Sequence, residues 1–84
     1  MARAKKNPID AHIGLLIKTR RRELKISQTA LGQSVDISFQ QIQKFERGGN
    51  RVSAAALYTF SKMLDVPVSY FFDTFDPDHS SDEH

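Results

Sequence analysis

The 84-residue sequence predicts an all-α fold, a compact bundle of five short helices. Three observations carry that expectation. Apolar residues recur at three- and four-residue steps in successive segments, the period of a helix with one buried face. Serine precedes three of these segments, at Ser27, Ser38 and Ser53, where a hydroxyl can cap the first turn. No segment shows the alternation of a half-buried strand, and no unit repeats along the chain.

The elements follow in order. Asn7-Pro8 opens the first helix: asparagine caps, and proline takes the first helical position. Ile9, Ile13, Leu16, Ile17 and Leu24 then mark an amphipathic helix over about residues 8–24. Its other face carries Lys18, Arg20, Arg22 and Lys25. Ser27 caps the second helix, whose expected inner face is Ala30, Leu31, Ser34 and Val35. Asp36-Ile37 makes a tight turn, because aspartate tolerates a left-handed backbone. Ser38, with Gln41 three residues later, forms a capping box that opens the third helix. On that helix Ile42, Phe45 and Glu46 point one way, and Phe39, Gln40, Gln43 and Lys44 the other. Gly48 ends it. Ser53 caps a fourth helix, AAALYTFSKML, with Leu57, Phe60 and Leu64 inward, and Pro67 breaks it. VSYFF supplies aromatic bulk as a short fifth helix or turn. The expected organisation is a basic arm over residues 1–7 with Arg3, Lys5 and Lys6, a domain over residues 8–72, and an acidic tail over residues 73–84. The tail is nearly core-free and reads as disordered, or as a stump leading to something further.

Composition narrows the function. A domain this small buries roughly 60% of its unfolded surface, so it must pack well or pair with another chain. Cysteine is absent, which excludes disulfides and thiolate metal sites and fits a reducing cytoplasm. No apolar run reaches the ~18 residues of a membrane helix, and the basic start lacks the apolar stretch of a signal peptide. The charge is unevenly divided. Residues 1–51 hold 11 Lys/Arg against 4 Asp/Glu, and residues 52–84 hold 1 against 6. That split suits a polyanion-binding front with an acidic rear; the competing reading is a solvated surface with an acidic tail.

Four motifs in order resemble the Cro and phage-repressor-type helix-turn-helix regulators, with their λ-repressor-like fold. IGLLIK with Arg21 is similar to that family's first helix, SQTALG to its SQxxLA, and residues 42–48, IQKFERG, to its IxxWExG. LYTFSKMLDVPVSYFF is similar to its closing two helices, and the match runs over about residues 9–72. The resemblance implies a sequence-specific transcriptional regulator. It binds double-stranded DNA at a palindromic operator as a homodimer, with the helix over residues 38–47 in the major groove. It implies phosphate contact through Gln28, an ion pair between Arg21 and Glu46, and no cofactor. Its output is promoter occlusion or contact with RNA polymerase, in the cytoplasm at the nucleoid. Two departures stand out: Asp36 where the family usually has glycine, and Phe39 where some relatives carry a base-reading glutamine.

The residues give this reading physical content. The major groove admits one α-helix and shows distinguishable donor and acceptor patterns. Gln40 is the best direct reader, since its amide can bond adenine bidentately. Phe39 either touches a thymine methyl or serves as a hydrophobic staple at the core edge. Lys44 reaches a guanine or a phosphate, and Ser38 and Gln43 complete the base-reading set. Gln28 sits at a helix N-terminus, whose N–H groups and dipole attract an anion. Arg20, Arg22, Lys25, Arg47 and Arg51 are the candidate phosphate contacts, some of them merely solvated. The basic arm either follows the DNA or has no role. Tyr70, Phe71 and Phe72 either complete the core or form the dimer surface. His12, His79 and His84 are too scattered for a metal site, no phosphate-cradling glycine loop exists, and no nucleophile has a scaffold, so enzyme activity is not expected. The alternative function is a protein-interaction module on the same fold, an antitoxin or coactivator partner with weak DNA reading.

Overall fold

The computed structural model of the chain describes residues 8–73. They form α1 (Pro8–Glu23), α2 (Gln28–Val35), α3 (Phe39–Glu46), α4 (Ala54–Met63) and α5 (Tyr70–Asp73). No strand occurs among the described residues.

The helix starts follow the serines. The hydroxyls of Ser27, Ser38 and Ser53 accept from the backbone N–H of Ala30, Gln41 and Ala56 at 2.9, 3.2 and 3.1 Å. Each cap satisfies a first-turn donor that has no partner within its helix. At Ser38 this is the serine half of the expected capping box.

The helix ends share one device. After each of the first four helices a single residue turns left-handed: Lys25, Asp36 and Asp65 at φ near 60°, and Gly48 at 74°. The next N–H then reaches back to a carbonyl five residues earlier: Ile26 to Arg21, Ile37 to Gly32, Gly49 to Lys44 and Val66 to Ser61, at 2.8–3.0 Å. This is the Schellman arrangement, which satisfies orphan carbonyls while reversing the chain. Ile26, Ile37 and Val66, which follow three of these caps, pack against the core.

α1 packs on α3 and α5, and α2 on α3 and α4. Between them lie Ile13, Ile17, Leu31, Ile42, Phe45, Val52, Leu57, Phe60, Leu64 and Phe71. Phe45 meets Phe60 edge to face, with centroids 6.0 Å apart and planes at 79°. α1 approaches α3 closely at Gly14, where a Cβ would stand 2.0 Å from the Phe45 carbonyl oxygen.

Some expectations change. Ala30 and Ser34 are exposed, and the buried side of α2 is Leu31 and Gly32. Leu24 lies beyond α1 and is 37% exposed. α5 begins only at Tyr70, and Asp73, expected in the tail, closes it. The Asn7 cap, the arm over residues 1–7 and the rest of the tail lie outside the described residues.

Candidate nucleic-acid interface

Two short helices and the turn at Asp36 build the candidate surface. Gly32, Asp36 and the Ser38 cap fix how α3 leaves α2, through the Ile37 N–H to Gly32 carbonyl bond of 2.8 Å. α3 is sharply two-sided. Ile42, Phe45 and Glu46 are buried, while Ser38, Phe39, Gln40 and Lys44 are exposed and Gln43 is half-buried. The stripe expected from the sequence is therefore present as a surface. Phe39, at 41% exposure, stands out from the core.

Behind that stripe runs a polar relay. Arg21, on α1, and Glu46, on α3, are both 8% exposed. Arg21 Nε donates to Glu46 Oε2 at 2.6 Å and Nη2 to Oε1 at 3.1 Å. Arg21 Nη1 donates to the Ile26 carbonyl at 2.9 Å, so one guanidinium ties α1, the following turn and α3 together. Gln28 Nε2 donates to Glu46 Oε1 at 3.0 Å, and Gln43 Nε2 donates to Gln28 Oε1 at 3.3 Å. The ion pair inferred from family resemblance is thus bidentate and extended by two amides.

These groups line an open groove of about 260 Å³ between α1, α2 and α3, together with Lys18, Arg22 and Arg47. Four cations face one carboxylate there, a balance that attracts an anion. Lys18 is the groove residue that sequence reasoning misses as a site residue. Its spacing of four from Arg22 on α1 is the signal that places both on one face.

Other expected phosphate contacts are placed differently. Arg20 is corrected: its Nε donates to the Leu64 carbonyl at 2.9 Å and its Nη1 pairs with Glu23 at 3.2 Å. One residue turns a helix by about 100°, so Arg20 faces the end of α4 while Arg21 faces α3. Lys25 is exposed in the turn after α1. Arg51 is exposed, with Nε 3.8 Å from the Asp10 carboxylate, a loose pair that leaves it available.

The aromatic end is also corrected. Phe71 is wholly buried within the single chain and cannot present itself to a partner. Tyr70 is half-buried and stacks edge to face on Phe71 at 5.3 Å. Phe72, at 40% exposure, is the aromatic left on the surface.

Among the described residues no cluster of three His, Cys, Asp or Glu side chains could hold a metal ion. No described helix is long and apolar enough to cross a membrane.

Known proteins share this arrangement. The helix-turn-helix family HTH_3 matches residues 17–71. An HTH-type transcriptional regulator of Sinorhizobium medicae (strain WSM419) is 55% identical over 69 residues, covering 82% of this chain and 50% of that protein. A transcriptional regulator from the ATPase CF(0) region of Rhodospirillum rubrum is 50% identical over 64 residues, covering 76% of this chain and 59% of the other. The P22 c2 repressor, solved in complex with synthetic operator 9T, superposes with a TM-score of 0.67 at 36% identity, covering 70% of this chain and 89% of the repressor. The chain spans about half the length of the first curated relatives it matches. These relatives are named as regulators, not enzymes. The chain belongs to the helix-turn-helix family of Cro- and repressor-type transcriptional regulators.

Proposed function

We propose that this chain regulates transcription in the cytoplasm by binding double-stranded DNA at a palindromic operator as a homodimer, with α3 in the major groove. The observation that carries the reading is the exposure of Gln40 and Lys44 on the face of α3 opposite buried Ile42, Phe45 and Glu46. A helix whose polar stripe is free and whose other side is anchored can enter the groove without unfolding its own support. In this reading Gln40 bonds adenine, Phe39 touches a thymine methyl, and Lys44 reaches a guanine or a phosphate. Lys18, Arg22 and Arg47, which line the groove, and exposed Lys25 and Arg51 outside it supply phosphate contacts, which position the protein without reading sequence. Gln28 keeps one side-chain N–H for a phosphate, beside the first-turn N–H groups of α2.

A helix ~14 Å long covers only a few base pairs, so useful specificity calls for two copies. Phe72, with part of Tyr70, offers the surface for pairing. The output is promoter occlusion or contact with RNA polymerase.

Selection from a random duplex pool tests the reading. A two-fold symmetric site is expected, with affinity falling about 10³–10⁵-fold between 50 and 200 mM salt, as ~6–10 neutralised phosphates require. Weak binding without a selected site would favour the interaction-module alternative.

A further inference from the structure

One cation of the phosphate-contacting set faces a carboxylate of its own chain. Arg51 Nε lies 3.8 Å from Asp10 Oδ2, close enough for electrostatic attraction but too far for a hydrogen bond. The partners differ in setting: the Arg51 side chain is 78% exposed and that of Asp10 only 12%. Asp10 sits in the first turn of α1, where the helix dipole favours a negative charge. Other carboxylates hold cations that serve the fold. Glu23 pairs with Arg20, which is turned toward Leu64, and Glu46 pairs with Arg21 behind α3.

The backbone leaves Arg51 little but its side chain to move. Gly48, at φ of 74°, is pressed against the start of α1, where a Cβ would stand 2.7 Å from the Ala11 Cα. Val52, the residue after Arg51, is buried in the core. The loop is thus anchored on both sides of Arg51, and one anchor is the helix that carries Asp10. The exposed guanidinium can swing away, whereas the nearly buried carboxylate cannot follow it.

Resting on the DNA-binding reading above, we propose that Asp10 is a brake on DNA affinity that acts through Arg51. In the free chain Arg51 stays beside Asp10. On DNA it exchanges that partner for a phosphate, which accepts the short charge-assisted hydrogen bonds that Asp10 does not. The exchange leaves the Asp10 carboxylate shielded from water and without its cation. That loss subtracts from binding at every sequence alike, because a phosphate contact carries no base information. Asp10 is a positioning residue: it acts on DNA affinity without touching DNA.

The test uses the full chain, the duplex it selects from a random pool and a scrambled duplex of equal length, at one salt concentration. Asp10→Asn keeps the shape and removes the charge. It should tighten both duplexes about 2- to 5-fold and leave their ratio unchanged. In the Arg51→Gln background the same substitution should tighten binding at most about 1.5-fold. An equal gain in both backgrounds means simple charge removal and overturns the inference, as does a gain confined to the selected duplex. The Arg51 Nε–Hε resonance follows the exchange independently of affinity. Asp10→Asn should move it in the free chain, and DNA should move it in the wild type. A resonance that DNA leaves in place overturns the exchange even where Asp10→Asn does not fold. Wild-type binding that Asp10→Asn leaves unchanged or weakens sinks the brake alone. A wild-type chain that binds neither duplex sinks the DNA-binding reading with it.

Discussion

Arg21 and Glu46 grip each other through two hydrogen bonds of 2.6 and 3.1 Å, and both are nearly buried. The pair ties α1 to α3. Removing one partner strands the other charge away from water. Arg21→Ala should therefore cost about 3–5 kcal/mol, whereas exposed Arg22→Ala should stay within about 0.5 kcal/mol. Thermal unfolding of the two variants checks this, and equal melting shifts would count against the pair.

Gly14 is the point where α1 touches α3. A methyl group there would stand 2.0 Å from the Phe45 carbonyl oxygen, which is backbone and cannot swing aside. Gly14→Ala should destabilise by about 1–3 kcal/mol or more, because the two helices must separate. Gly49→Ala is the control: its Cβ would lie 3.5 Å from the Lys44 carbonyl oxygen, an ordinary contact. Denaturant unfolding should show the first change clearly and the second hardly at all.

Lys25 adopts φ of 60° with a full side chain. A left-handed backbone costs a non-glycine residue roughly 1–2 kcal/mol. Glycine relieves that strain but gains about 0.4–1 kcal/mol of unfolded-state freedom. Lys25→Gly should thus raise stability by about 0.5–1 kcal/mol, a melting increase of a few degrees. If Lys25 also touches phosphate, the same variant binds DNA more weakly at every sequence. A lower melting temperature would refute the strain argument.

Phe71 and Phe72 are neighbours with opposite assignments. Phe71→Ala empties a fully buried site and should cost about 3–5 kcal/mol. Phe72→Ala should leave the fold intact and shift the sedimenting species toward monomer, since the proposed pairing surface loses its exposed ring. A Phe72→Ala protein that sediments like the wild type would remove this residue from the interface.

Much of this was legible in the sequence because local chemistry decided it. The three serine caps, the left-handed Asp36 and the two-sided third helix are set by residues within one or two turns. The inward place of Glu46 was legible from its spacing with Ile42 and Phe45, and its pairing with Arg21 from the family resemblance. What the sequence hid depends on distant groups. Arg20 finds the Leu64 carbonyl 44 positions away, and nothing local separates that from a phosphate contact. Ala30 and Ser34 face outward while Leu31 and Gly32 face inward, where a Cβ at Gly32 would stand 2.3 Å from the Ile37 carbonyl oxygen. Phe71 and Phe72 differ in no chemical property, and only the direction of a four-residue helix sends one inward. The left-handed caps at Lys25 and Asp65 lack glycine, so the usual signal was missing. The amide relay became visible only when Gln28, Gln43 and Glu46 met in space.

The most direct measurement compares wild type and Gln40→Ala on the selected duplex and on a scrambled duplex of equal length. Wild type should prefer the selected duplex by about 10³-fold or more. Gln40→Ala should lose about 5- to 150-fold of that preference at one base pair with its melting temperature unchanged. Equal wild-type affinity for both duplexes, or undiminished discrimination without Gln40, would contradict the account.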